Sequence, residues 1–152
     1  MLREKIDAAL KTAMKARTEP TRVTTLRLIN AAIKDRDIAA RSEDRCDGVT
    51  DEEILTILTK MVKQREDSSE AFEKGGRPEL AEQERAEIAI IRDFMPRQLG
   101  EEEIEQAVHE VIEELGAAGL KDMGRSMAAL KERYSGAMDF GRAGAVMKKA
   151  LA

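Results

Sequence analysis

Two glycines followed by an arginine, in the stretch EKGGRPELAEQE (Glu73 to Glu84), are the residues of this chain that most resemble a phosphate cradle. Amides freed by glycine can converge on an anion where a helix begins. The neighbouring residues argue for a different role. A Walker-type loop needs GxxxxGKS/T between a strand and a helix. Here helix-like sequence precedes Gly75, Pro78 supplies no N–H, and Glu79 and Glu82 put negative charge where a phosphate would sit. Glycine after one helix and proline at the start of the next punctuate a helical turn. The loop is therefore read as a joint, with Lys74 and Arg77 kept as secondary surface candidates for touching a polyanion.

Other reactive side chains are sparse. His109 is the sole histidine and sits among Glu110, Glu113 and Glu114, whereas zinc sites use several His or Cys ligands. Cys46 is the sole cysteine, so one chain can build neither a disulfide framework nor a CxxC metal site. The acidic SEDRCDG loop around it disfavours a thiolate, and a Cys46–His109 nucleophile–base pair would need a proximity nothing in the sequence suggests. The glutamate clusters, such as Glu101–Glu103, read as charged first turns or solvated faces. No GxSxG and no Gly/Ser-rich Ser-Lys arrangement is present. The residues thus give no catalytic constellation, and neither a metal nor a cofactor is expected.

Basic side chains carry the remaining chemistry. The overall net charge of −4 excludes bulk attraction to nucleic acid or an anionic membrane. Its distribution is uneven: residues 1–45 and 120–152 are each +4, which leaves 46–119 at −12. Within the last segment, DMGRSMAALK (122–131) and DFGRAGAVMK (139–148) repeat Asp, Gly, Arg, Ala and Lys at an offset of 17 residues. In each copy Asp can cap a helix and Gly can allow close approach, which leaves Arg and Lys to point outward. Arg125, Lys131, Arg142 and Lys148, supported by Lys121, are the expected contact face for phosphates, whose recognition requires only such side chains on a shaped surface. Folded RNA is read largely by shape, so 3% aromatic content does not exclude it.

The elements that must position these residues are helical. The chain is rich in Ala, Leu, Ile, Glu, Lys and Arg and poor in proline. Ile6, Ala9, Leu10, Ala13 and Met14 recur at helical spacing and predict a first helix over 2–17. A second runs from Pro20 to about residue 41, with Val23, Leu26, Ile29 and Ile33 inward. Thr50-Asp51-Glu52-Glu53 matches a capping box and opens a third helix, ending near Lys74. A fourth, from Pro78 to about Phe94, is expected to bury Leu80, Ile88 and Ile91. Pro96 to Gly100 reads as a linker. Helices over 101–115, 123–134 and 140–151 follow. The expected fold is all-α, with an N-terminal four-helix subdomain over 1–96 and a C-terminal three-helix bundle over 97–152.

No run approaches the roughly 18 apolar residues of a membrane span, and the amphipathic, acid-containing N-terminus lacks the apolar stretch of a secretory signal. With the single cysteine, a cytoplasmic setting without membrane partners is expected.

Six ordered motifs, LRLINAAIK (26–34), TDEEIL (50–55), KQREDS (63–68), EKGGRPELAEQE (73–84), EIAIIRDFMPRQL (87–99) and KDMGRSM (121–127), resemble the YqeY family. That family is similar to the C-terminal tail of GatB, a subunit of the glutamine-dependent amidotransferase that corrects mischarged tRNA. The resemblance spans nearly the whole chain and implies a helical N-terminal part joined to a three-helix C-terminal one. It further implies binding of tRNA or another structured RNA in connection with tRNA amidation, as the tail does in GatB. Docking on an amidotransferase or another enzyme is a second implication. A third, carbon–nitrogen ligase activity with glutamine as amido-N donor, is a label such families carry, although GatB's catalytic core has no counterpart here. Ala137 occupies the position after Gly136 where the family often carries a basic residue.

Overall fold

A computed structural model describes residues 1–17, 19–44 and 48–152. Cys46 and the centre of its acidic loop lie outside the described residues, as does Thr18. The described residues form seven α-helices: α1 (Leu2–Ala16), α2 (Pro20–Ser42), α3 (Asp51–Lys74), α4 (Pro78–Arg92), α5 (Glu101–Leu115), α6 (Met123–Arg133) and α7 (Phe140–Leu151). A single 3-10 turn, Leu120–Asp122, leads into α6, and no strand occurs among the described residues. The chain divides into two compact units, Met1–Met95 and Pro96–Ala152.

The first unit packs α1 to α4 around aliphatic side chains at helical spacing. Ile6, Leu26, Ile29, Ile33, Leu58 and Ile91 are all essentially without solvent contact. Each such side chain contributes roughly 1.5–3 kcal/mol when withdrawn from water. Leu80 departs from the expected inward set: it is 36% exposed, and Ala81 takes the buried position beside it.

Local chemistry sets the helix ends. The Thr50 hydroxyl accepts from the Glu53 N–H at 3.2 Å, which satisfies one of the unpaired amides of the first turn of α3. Pro20 and Pro78 stand at the starts of α2 and α4, where a missing N–H costs nothing. Three ion pairs then join α3 to α4: Arg65 to Glu87 at 3.0 Å, Arg92 to Glu66 at 2.8 Å, and Arg85 to Glu73. The first is largely shielded, and its guanidinium also donates to the Met61 carbonyl at 3.2 Å. Glu84, close by, has its carboxyl pushed up by burial and by the neighbouring Glu87 charge.

A carboxylate closes the other side of this unit. Asp37, on α2, accepts both guanidinium nitrogens of Arg3 of α1 at 2.8 Å each, and its Oδ1 also accepts the Val49 N–H at 3.0 Å. Gly48 makes this approach possible. Its φ of +81° lies in the region that favours glycine, and a Cβ there would stand 2.8 Å from Asp37 Oδ1. The Arg3 guanidinium is the main influence holding the Asp37 carboxyl down, at about 2 against a usual 3.8.

The second unit, α5 to α7, encloses Ile104, Val108, Val111, Leu130, Met138 and Met147. Residues 96–100, expected as a linker, are instead fastened to this unit. The Leu99 N–H donates to the Ala137 carbonyl at 2.8 Å, Gln98 Nε2 donates to the Gly136 carbonyl at 2.7 Å, and Arg97 pairs with Glu103. Ala137 is itself buried.

Because the folded pKa of Asp37 lies below the unfolded one, its stabilisation is fully present above about pH 4 and is lost as pH falls toward 2. Asp37→Asn is expected to lower stability at neutral pH by on the order of 1–2 kcal/mol, as loss of a charged hydrogen-bond acceptor does. It is also expected to flatten the decline between pH 4 and pH 2. Urea unfolding of both proteins across that range measures the two effects; parallel pH profiles would show that the clasp carries no such dependence.

Candidate nucleic-acid interface

The Gly75-Gly76-Arg77 amides are engaged in ending α3. The Gly75 N–H donates to Ala71 O at 2.9 Å, Gly76 N–H to Glu73 O at 3.2 Å and Arg77 N–H to Phe72 O at 2.8 Å. With Gly76 at φ +75°, this is a Schellman closure of the α3 carboxyl end. No amide of the three is left to converge on a phosphate. Lys74 is drawn to Glu70 at 3.0 Å, while Arg77, just ahead of α4, is exposed and forms no ion pair among the described residues. His109 projects from the exposed side of α5. Among the described residues no three His, Cys, Asp or Glu side chains group closely enough to hold a metal ion, and no helix is long and apolar enough to cross a membrane.

The five basic residues expected to form the contact face are all exposed and all belong to the second unit. Lys121 lies in the 3-10 turn, Arg125 in the first turn of α6, Lys131 near its end, Arg142 in the first turn of α7 and Lys148 near its end. Arg125 is held by Asp122 at 3.3 Å, whereas Lys121, Lys131, Arg142 and Lys148 form no ion pair among the described residues. The adjacent Arg133 is taken up by Glu114.

Helical register refines this set. Arg and Lys in each repeat are six residues apart, which at about 100° per residue sets them some 120° apart around the helix. They therefore cannot share one face of either α6 or α7. On α7, with Ala143, Met147 and Leu151 buried, the outward face carries Arg142 and Lys149, seven residues apart and nearly aligned. Lys148 sits toward the flank. Lys149, also exposed and unpaired, is the residue that matching the repeats passes over; counting in helical steps recovers it.

The repeats also differ at their acidic residue. In the second, Asp139 Oδ1 accepts the Gly141 N–H at 2.8 Å and caps α7. In the first, Asp122 makes no cap bond; its Oδ2 turns back to the Ala118 N–H at 3.0 Å. That backbone bond, then the nearby Arg125 and Lys121 charges, holds the Asp122 carboxyl below its usual range. Nor does the first glycine serve close approach, because a Cβ on Gly124 would meet nothing within 4 Å. The two copies share a sequence pattern without sharing its use.

The family model described as Yqey-like protein matches residues 3–151. Among similar proteins are three named altered inheritance of mitochondria protein 41, mitochondrial. That of Lachancea thermotolerans is 36% identical over 109 residues, covering 70% of this chain and 55% of the relative. Those of Pyrenophora tritici-repentis and Clavispora lusitaniae are 29% and 34% identical, covering 85% and 71% of this chain and 71% and 61% of the relatives. The chain thus spans little more than half the length of the Lachancea protein. These names overturn the expectation of a cytoplasmic setting. A lone cysteine suits any reducing compartment, and so does not single out the cytoplasm.

Opposite changes in stability are expected at the two copies. Asp139→Ala should cost about 1 kcal/mol through loss of the α7 cap. Gly124→Ala, with open space around the new methyl group, should instead stabilise by up to about 0.5–1 kcal/mol. Thermal unfolding followed by circular dichroism distinguishes them, and a destabilising Gly124→Ala would contradict the open environment.

Proposed function

The chain belongs to the Yqey-like protein family, and from that premise we propose that it binds tRNA or another structured RNA through its C-terminal unit, in connection with tRNA amidation. It acts in this reading as a helical binding module without a catalytic site of its own. The observation that carries the proposal is the group of exposed cations Lys121, Lys131, Arg142, Lys148 and Lys149, in a segment of net charge +4 and with no acidic partner among the described residues. A solvated helix face commonly pairs its charges along i,i+4 rows, as Lys74 does with Glu70. Here the cations stand free to displace counterions from phosphates. The resemblance to the GatB tail supports RNA as the polyanion, and the names of the relatives support a mitochondrial setting. Arg125 joins the face on release from Asp122, a 3.3 Å pair exposed enough to contribute little by itself.

Retention of tRNA on filters from about 50 to 200 mM salt tests the proposal. Binding by the native protein should weaken steeply with salt, and Arg142→Glu/Lys149→Glu should weaken it further and lower the slope by roughly one to two phosphate contacts. Arg125→Glu/Lys148→Glu should act in the same direction. Salt-independent retention, or equal retention by the variants, would count against an RNA interface here.

A further inference from the structure

The face of α2 turned to solvent carries a pattern that RNA binding by the C-terminal unit does not use. Thr24, Leu28, Ala31, Asp35, Ile38 and Ser42 are all exposed and follow one another at alternating steps of four and three residues. That spacing is the seam of a coiled coil, positions a and d of the heptad. Leu28 and Ile38 are 43% and 60% exposed, among the few large apolar side chains left in water. The buried residues of the same helix, Leu26, Ile29, Ile33 and Ala40, serve the four-helix core. α2 is thus apolar on two sides, and within the chain only one of them is covered.

Beside this seam runs a line of cations. Arg27, Lys34 and Arg41 each directly precede Leu28, Asp35 and Ser42, so all three fall at the g position that flanks a seam. All are exposed and none forms an ion pair within 4 Å among the described residues, although the Arg41 charge is felt by Asp37. At 1.5 Å per residue they stand about 10.5 Å apart, the distance between equivalent positions on successive heptads of a facing helix. The opposite flank, at e, carries Ala32 and Ala39, and charge there comes from Lys60 of α3, which lines the same groove as Asp35 and Arg36.

We infer that the outer face of α2 docks an amphipathic helix of a different protein, with an apolar seam flanked by acidic residues and one basic residue set opposite Asp35. Charge decides against a second copy of this chain. Two α2 helices packed antiparallel would oppose cation to cation, and packed parallel would oppose the cations to Ala32 and Ala39. Neither gives Arg27, Lys34 and Arg41 an acceptor. Asp35 sharpens the description, since a carboxylate closed inside a seam is strongly unfavourable unless a cation meets it. The inference stands apart from the RNA reading, which concerns the other unit.

The full-length chain can be titrated by fluorescence anisotropy with a synthetic helix bearing leucines along its seam, glutamates at both flanks and a lysine facing Asp35. Binding is expected, at least tenfold weaker to Arg27→Glu/Lys34→Glu/Arg41→Glu and to Leu28→Asn/Ile38→Asn. Circular dichroism should show both variants as helical as the parent. The charge-reversed variant should instead take up a helix of the same seam with lysine flanks. Four results would each overturn the inference. The acid-flanked helix fails to bind; it binds the charge-reversed variant equally well; sedimentation shows a dimer that Leu28→Asn/Ile38→Asn dissociates; or the three charge reversals abolish tRNA retention while leaving peptide binding untouched.

Discussion

The N-terminal unit depends on one carboxylate. Asp37 gathers a guanidinium from α1 and an amide from the segment entering α3, so three stretches of chain meet at two oxygens. Its energy alone is modest beside the aliphatic core, where a single isoleucine contributes as much. What it supplies is position. A methyl group at residue 48 would collide with it, and Val49, next in the chain, is buried. The contact fixes where the chain comes back after the loop and therefore where α3 begins.

That positioning has a consequence for the outer face of α2. α1, α3 and α4 cover α2 along its inner side only, which leaves the Leu28–Ile38 seam outside. In the second unit the corresponding constraint is backbone: Gln98 and Leu99 lock onto Gly136 and Ala137, the residues just ahead of Asp139 and the α7 cap. Arg142 and Lys149 owe their orientation to that cap and to the burial of Ala143, Met147 and Leu151 on the other side of the same helix.

Sequence reading recovered what is local. Helix limits followed from Pro20, Pro78, Thr50, Gly76 and Gly116, because a cap or a turn is decided within about four residues. The sense of the Gly-Gly-Arg loop was legible for the same reason. Contacts between distant residues were not: Arg3 and Asp37 are 34 positions apart, and nothing in either neighbourhood marks the other. Residues 96–100 looked like a linker because proline, glycine and polar residues suit a loop, whether that loop hangs free or is bonded to its own unit. The repeats misled through letters rather than angles. Matching Asp to Asp implied two caps where one forms, and matching Lys to Lys chose Lys148 over Lys149. On α2, sequence showed the inward row and the positive charge of residues 1–45, but not that Leu28 and Ile38 would be left uncovered.

The hairpin of α3 and α4 has a bearing on how the chain reaches this state. A three-residue connection closes it, and its ion pairs join residues only 12 to 26 positions apart. Loop-closure entropy is least for such contacts, and folding rates rise with their share. The hairpin thus pairs at a small loss of chain freedom, as do α1 and α2 across their own three-residue connection, whereas the Arg3–Asp37 clasp must be closed across 34 residues. Both helix pairs are closed locally, and the clasp at Asp37 is the long-range contact that draws the entry to α3 onto the α1–α2 pair.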